Sequence, residues 1–367
     1  MSAFTDADHA HMAAALRLAR RGLGNTWPNP AVGCVIVRDG LVVGRGWTQP
    51  GGRPHAEAFA LMQAGEKARG ATAYVTLEPC SHFGKTPPCA DALADAGISR
   101  CVVAITDSDP RVSGRGLERL RSAGITVQNG LLADQARAHN LGFFLRVEQG
   151  RPMLTLKTAT SLDGRIALAN GDSQWITGPD ARALTHRLRA EHDAVLVGSG
   201  TVLADNPDLR CRLPGVDPRP VVRVVLDARL RTPVDCALLE TAAAAPVWIV
   251  TALTAKNTDA AAALSRAGAE LIFLPDPHDC GAVATALAER GLTRVMIEGG
   301  GQVAGAFLRA GLIDRAVWFR APKVLGGDAR SGIGALDLTR LTDSPEYRRV
   351  RLAPVGADSV EFLERKI

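Results

Sequence analysis

The 367-residue sequence has no apolar run approaching the length of a membrane span, which argues against a spanning helix. It has no internal repeat, and no low-complexity tract beyond the alanines at 242–245, so neither a repeat architecture nor a disordered chain is expected. Its seven cysteines are odd in number and follow no framework spacing, which excludes a disulfide scaffold. The first eight residues are polar and acidic and form no secretory leader, so a reducing cytoplasm is the expected compartment. Charge of one sign is not in large excess: 43 Lys and Arg face 38 Asp and Glu, a net +5 with no basic run. That balance does not demand nucleic acid and suits a phosphorylated small molecule.

What is present is an ordinary globular balance, 46% apolar and 22% charged, over a length that fits two domains. Leu16, Leu18 and Ala19 among arginines mark an amphipathic helix over 10–22. Strands are expected at 34–37 and 41–46, joined by the tight turn Asp39-Gly40. Further strands fall at 73–77, 100–106 and 125–127, and helices at 55–62, 89–96, 117–123 and 134–144. Glu148-Gln149-Gly150-Arg151-Pro152 breaks the rhythm and sets the domains at 1–149 and 150–367. Strands resume at 153–158, 194–197, 221–226, 247–251, 270–274, 294–298 and 315–321, with helices at 179–191, 260–267, 283–290 and 303–310. Strands alternating with helices make the fold class α/β.

His55, Cys80 and Cys89 can supply three ligands to zinc and leave the fourth tetrahedral position open, the layout of a catalytic site. Glu57 stands two residues from the His and is not needed as a ligand, so its carboxylate is free to move a proton. Zinc deaminases carry H-x-E followed by P-C-x-x-C. Here eight residues, not two, separate the cysteines, and His82 within them reads as a pocket residue rather than a ligand. Cys34 and Cys101 lie in apolar strands and belong to the core. Asn29 before Pro30 reads equally as a turn residue and as an amide for a substrate ring edge.

In the second half, Glu298-Gly299-Gly300-Gly301-Gln302 follows a strand and opens a helix. Glycines there let backbone approach a phosphate at a helix N-terminus. The stretch is not the dinucleotide fingerprint G-x-G-x-x-G. Polar loops at 161–165, 172–177 and 200–207 put Ser, Thr, Asp, Trp and Arg near strand ends, where open α/β sheets bind ligands.

Taken together, these stretches resemble the bifunctional riboflavin-biosynthesis family, a pyrimidine deaminase fused to a pyrimidine reductase. The matching residues are Asn29-Pro30-x-Val32-Gly33, His55-Ala56-Glu57, Glu78-Pro79-Cys80-Ser81-His82-x-Gly84-Lys85-Thr86-Pro87-Pro88-Cys89, Ser161-Leu162-Asp163-Gly164-Arg165, Ser173-Gln174-Trp175-Ile176-Thr177, Thr201-Val202-Leu203-Ala204-Asp205-Asn206-Pro207, Glu298-Gly299-Gly300 and Ala321-Pro322-Lys323. The long insert between the cysteines is typical of that family. The resemblance implies an N-terminal cytidine-deaminase-like α/β/α sandwich and a C-terminal dihydrofolate-reductase-like α/β domain. It implies zinc-dependent deamination of a phosphoribosylamino-diaminopyrimidinone, then NADPH-dependent reduction of ribosyl to ribityl. By that match, zinc sits on His55, Cys80 and Cys89, and Glu57 is catalytic. Ala159, Trp175, Thr201, Asp205, Gly300, Gly301, Gln302, Val303, Ala304, Gly305 and Ala306 contact NADP. Asn29, Ser173, Arg189, Leu209, Arg212 and Glu298 contact substrate, with Arg189 and Arg212 suited to its phosphate. Lys157, at the polar end of the first reductase strand, also faces that site.

The family tends to self-associate, so a homo-oligomer is expected, with neither nucleic acid nor membrane as partner. The rivals are a nucleic-acid base deaminase, which the mild charge and long cysteine spacing disfavour, and a zinc-stabilised binding module without turnover.

Overall fold

The computed structural model describes residues 4–82, 87–110, 112–213, 215 and 220–366. Gly84, Lys85 and Thr86 of the long insert lie outside them. The chain divides into two compact units between Gly150 and Arg151.

The first unit is an α/β/α sandwich. Its strands β1 (Gly33–Arg38), β2 (Leu41–Trp47), β3 (Thr72–Val75), β4 (Arg100–Val103) and β5 (Thr126–Asn129) stand in the order β2-β1-β3-β4-β5. β1 runs antiparallel to β2 and β3, and β3, β4 and β5 are parallel. Among the described residues six α-helices accompany them: α1 (Asp6–Ala19), α2 (Ala56–Ala64), α3 (Cys89–Asp95), α4 (Arg115–Ser122), α5 (Ala133–His139) and α6 (Leu141–Gln149). Successive strand side chains point to opposite faces, and both faces are covered. Cys34 and Ile36 pack with Ala60, Leu93, Leu120 and Phe144, whereas Val35 and Val37 pack with Met12 and Leu16.

Several boundaries differ from expectation, and two of the differences have a visible cause. α1 begins at Asp6 rather than residue 10 because Thr5 and Asp8 form a capping box, Asp8 N–H donating to Thr5 Oγ1 at 3.1 Å and Thr5 N–H to Asp8 Oδ2 at 2.9 Å. The helix expected over 134–144 is instead α5 and α6, separated at Asn140. The Asn140 amide is engaged elsewhere, accepting from Ala31 N–H and donating to Ala31 C=O, both at 3.0 Å.

The second unit is built on a nine-stranded sheet, with β6 (Met153–Thr160), β8 (Ala194–Gly198), β9 (Val222–Leu226), β10 (Val247–Ala252), β11 (Ala269–Leu274), β12 (Arg294–Ile297), β13 (Arg315–Arg320), β15 (Tyr347–Val355) and β16 (Asp358–Arg365). Its order is β11-β10-β9-β8-β12-β6-β13-β16-β15, and β7 (Arg165–Ala167) and β14 (Arg330–Ser331) form a separate ribbon. The helices are α7 (Pro179–Ala190), α8 (Ser199–Asp205), α9 (Ala237–Glu240), α10 (Asp259–Arg266), α11 (Cys280–Glu289) and α12 (Gly301–Arg309). The strands from β11 to β13 are parallel, and β16 and β15 extend the sheet antiparallel. The chain passes from β6 to β8 and later returns to place β12 between them. Ligands of open α/β sheets sit outside the carboxyl ends of the strands at such a point of reversal.

The β15–β16 hairpin escapes sequence reading because β15 carries Arg348, Arg349 and Arg351 on a mostly exposed strand, with no clean apolar alternation. Its one signal is the turn at Gly356-Ala357, where Gly356 has φ 61°. The expected loop over 200–207 is largely helix α8, in which Ser199 and Val202 are buried, Thr201 is half-buried and Asp205 is exposed. Among the described residues no helix is long and apolar enough to cross a membrane.

Candidate functional site

In the first unit, α2 is pressed against β2. A Cβ on Gly46 would lie 2.0 Å from the Ala56 carbonyl oxygen, and one on Gly44 2.3 Å from that of Ala60, so only glycine permits this approach. The packing fixes the start of α2, where His55 is the N-cap residue rather than part of the first turn, and Glu57 follows inside the helix. β3 ends before Glu78-Pro79-Cys80, and Cys89 opens α3. The ligand atoms of His55, Cys80 and Cys89 all lie within 4.8 Å of one another. His55 Nδ1 is 3.3 Å from Cys89 Sγ and 3.6 Å from Cys80 Sγ, and Cys89 N–H donates to Cys80 Sγ at 3.3 Å.

One imidazole nitrogen and two sulfurs at this spacing fit zinc, and among the described residues no fourth His, Cys, Asp or Glu joins them. His82 is outside the group. Its Nδ1 is buried and finds no partner among the described residues. Cys34 and Cys101 are fully buried core residues.

The electrostatics follow from burial. Glu57 is 3% exposed, and burial pushes its carboxyl pKa up to about 7, with His55 opposing and Cys80 adding to the rise. Hydrogen bonds from Cys89 and His55 hold Cys80 low, making it the first of the two thiols to ionise, while its partner Cys89 is pushed up. Asn29 sits against Gly52 of the loop that leads into His55: a Cβ there would fall 2.0 Å from Asn29 Nδ2. Asn29 is also a turn residue, its N–H donating to Thr26 C=O at 2.9 Å.

In the second unit the predicted residues gather around the ends of β6, β8 and β12. Arg189 of α7 meets Glu298, just past β12, in a two-pronged ion pair at 2.6 and 3.0 Å. Both side chains are largely buried. Arg189 also donates to Arg210 C=O at 3.1 Å, so three of its five N–H groups are engaged within the protein. Lys157 of β6 is half-buried with Nζ 5.6 Å from the Phe319 ring centre. Burial lowers its pKa, and Glu298 opposes that fall.

Gly300 is the N-cap residue of α12 and has open space on its Cβ side, with Thr201 Oγ1 of α8 the nearest atom at 3.9 Å. Gly301 and Gly305, in contrast, face backbone: Cβ atoms there would lie 2.6 Å from Ser331 O and 3.2 Å from Gly334. Ala304 is 1% exposed on that packed side, Gln302 is exposed, and Val303 and Ala306 are half-buried. The geometry thus separates Gly300 from the inward-packed members of the stretch. Ala159 is half-buried in β6, Ser173 is half-buried, and Asp205 closes α8 on the exposed side. Trp175 is 62% exposed, with the Arg182 guanidinium 4.5 Å from its ring centre and Lys323 Nζ donating to its carbonyl at 2.9 Å. Leu209 puts its side chain in the core, leaving only its backbone, at φ 60°, to face a ligand. Arg212 is exposed, and its N–H bonds His186 Nδ1 at 3.2 Å.

Asp163 proves to be a tether. It accepts from Ser161 Oγ at 2.6 Å, Leu325 N–H at 3.1 Å and Gly326 N–H at 2.8 Å, joining the Ser161–Arg165 turn to the segment after β13.

The RibD C-terminal domain family matches residues 152–359, and the cytidine and deoxycytidylate deaminase zinc-binding region matches residues 5–105. A riboflavin biosynthesis protein RibD of Aquifex aeolicus is 42% identical over 358 residues, covering 98% of both chains. The chain belongs to the RibD family. Another RibD, from Escherichia coli, is 43% identical, covering 96% of this chain and 97% of its own. The solved Acinetobacter baumannii RibD (form 1) superposes with TM-score 0.88 at 38% identity, covering 98% of this chain and 99% of that one. A Thermotoga maritima structure, described as a diaminohydroxyphosphoribosylaminopyrimidine deaminase/5-amino-6-(5-phosphoribosylamino)uracil reductase, gives TM-score 0.86 at 34% identity, with coverage of 98% and 99%. Like other RibD proteins, this chain is an enzyme of riboflavin biosynthesis with a deaminase and a reductase domain, and its cofactors are zinc and NADPH.

Proposed function

We propose that the chain deaminates 2,5-diamino-6-(5-phosphoribosylamino)pyrimidin-4-one and then reduces the deaminated product's ribosyl group to ribityl. The convergence of His55, Cys80 and Cys89 beside the buried Glu57 carries this reading. His55, Cys80 and Cys89 hold zinc, which when bound supplies Lewis-acid activation of water. Glu57, with a carboxyl near neutrality, accepts a proton from water and delivers it to the departing amine. Asn29, held beside the loop before His55, orients the ring through its amide.

In the second unit, NADPH supplies the hydride. Gly300 and Thr201 offer it an open backbone cradle, and Trp175, Ala159 and Asp205 border it. Arg212, exposed and unlike Arg189 outside the Glu298 ion pair, takes the substrate phosphate. The Arg189–Glu298 pair and Lys157 line the pyrimidine and ribosyl end. The assignment of deamination to 1–149 and reduction to 150–367 is part of this proposal, as are a homo-oligomeric state, a cytoplasmic setting and the exclusion of nucleic acid. A net charge of only +5 with no basic run does not call for nucleic acid, and two thiol ligands suit a reducing compartment.

Ammonia release and NADPH oxidation, followed together on the diaminopyrimidinone, test the reading. Ammonia first and NADPH consumption second, in equal amounts, is the expected course. NADPH consumption without ammonia release would overturn the order of steps, and neither signal would overturn the substrate.

A further inference from the structure

When two cysteine ligands are two residues apart, the turn between them fixes their spacing. Eight residues separate Cys80 and Cys89, so their relative placement needs support from outside the segment. The structure supplies it from α4, which contributes no ligand. The Glu78 carboxylate is 4% exposed and accepts four backbone N–H groups, from Gly116 at 2.8 Å, Gly114 at 2.9 Å, Asp107 at 3.2 Å and Leu117 at 3.4 Å. Three of these donors belong to the N-terminus of α4 and its cap, where the orphan N–H groups and the helix dipole favour a carboxylate. Pro79 is trapped as well: a Cβ on Gly116 would fall 2.0 Å from its carbonyl oxygen.

One turn on, Arg119 donates to the Ser81 carbonyl at 3.2 Å and to Asp91 Oδ2 at 2.7 Å. Ser81 follows Cys80 and Asp91 is two residues after Cys89, so one guanidinium spans both ligand segments. The helix itself is anchored by Leu117 and Leu120 in the core.

We propose that α4 is a clamp that sets the distance between the two cysteine ligands, with Glu78 and Arg119 as positioning residues for zinc. Glu78 therefore acts on the metal through Cys80 and not on the substrate. This rests on the zinc reading of His55, Cys80 and Cys89. Partners that orient metal ligands are worth about 10- to 100-fold in affinity.

The test is zinc affinity of the full chain by competition with a chromophoric chelator, together with the visible spectrum of the cobalt-substituted protein. Glu78→Gln, which turns an amide donor toward N–H groups, is expected to weaken zinc about 10- to 100-fold and alter the cobalt spectrum. Arg119→Ala is expected to weaken it less, and Glu118→Gln, an exposed carboxylate in the same first turn, to leave both readouts unchanged. Circular dichroism and denaturant unfolding of the first unit, compared with wild type, report that each variant is folded. Should Glu78→Gln not fold, Arg119→Ala, on a side chain 42% exposed, decides alone. Wild-type affinity and spectrum in the folded variants, or an equal loss in Glu118→Gln, would overturn the clamp. A wild type without zinc affinity would instead overturn the metal reading beneath it.

Discussion

The first unit gathers three ligand atoms within 4.8 Å, whereas the residues predicted for the second site stand along the ends of β6, β8 and β12. Neighbouring strands stand about 4.8 Å apart, so the second site spans roughly 10 Å. A metal demands particular side chains at particular points. A long cofactor is held largely by backbone and shape, which many residues can provide. The first site therefore leaves a sharp mark in sequence and the second a diffuse one. Substitutions should separate the two along the same line: single side chains decide the first, and shared networks decide the second.

The largest effect is expected at Glu57. Glu57→Gln should lower deamination by about 10²- to 10⁴-fold while zinc content and reduction of the deaminated pyrimidine stay at wild-type levels. Residual deamination near wild type, measured as ammonia release, would remove the proton-transfer role.

Next comes the ion pair that anchors the diffuse site. Glu298→Ala strands the buried Arg189 charge and should cost about 3–5 kcal/mol of stability in the second unit, read by denaturant unfolding. Arg189→Met together with Glu298→Leu should cost less than Glu298→Ala alone, because no charge is left unpaired. An additive loss would show that the pair is not the source.

Arg212→Ala should raise KM for the phosphorylated pyrimidine by about 10- to 100-fold, from a lost charged hydrogen bond of about 1.5–3 kcal/mol, and leave the NADPH KM almost unchanged. Equal changes in both constants would move Arg212 out of the phosphate role.

The last effect is a pH slope. His192 is 3% exposed, with Nδ1 2.7 Å from Leu188 O and Nε2 2.9 Å from Thr155 Oγ1. Burial pushes its pKa down to about 3 from an ordinary 6.5. Between those values the unfolded chain binds a proton that the folded unit refuses. Its contribution to stability is thus complete above pH 6.5 and falls with decreasing pH, by about 1.4 kcal/mol per unit. The difference between wild type and His192→Gln in unfolding free energy should shrink over that window, and a constant difference would contradict the shift.

The same contrast explains what could be read from the chain beforehand. His55, Glu57, Cys80 and Cys89 were legible because donor type and order carry the chemistry. The alternation of helices and strands was legible through apolar periodicity, as in 34–37, where successive residues feed two cores. Less visible were interactions between distant residues. Nothing local shows that Arg189 pairs with Glu298, or that Leu209 points into the core. Gly301 and Gly305 look like their neighbour Gly300 in sequence, yet they serve packing against Ser331 and Gly334. Glu78 was readable as part of a motif but not as the cap of a helix that begins 37 residues later. The β15–β16 hairpin was missed because arginine-rich, exposed strands lack the alternation that marks a half-buried one.

Zinc extraction by a chelator, followed by NADPH oxidation on each of the two pyrimidines, tests the division of labour most directly. The metal-depleted chain should leave NADPH untouched when given the diaminopyrimidinone, oxidise it at the wild-type rate when given the deaminated form, and recover the first activity on adding zinc back. Loss of both activities, or survival of both, would contradict two separate sites of which only the first depends on the metal.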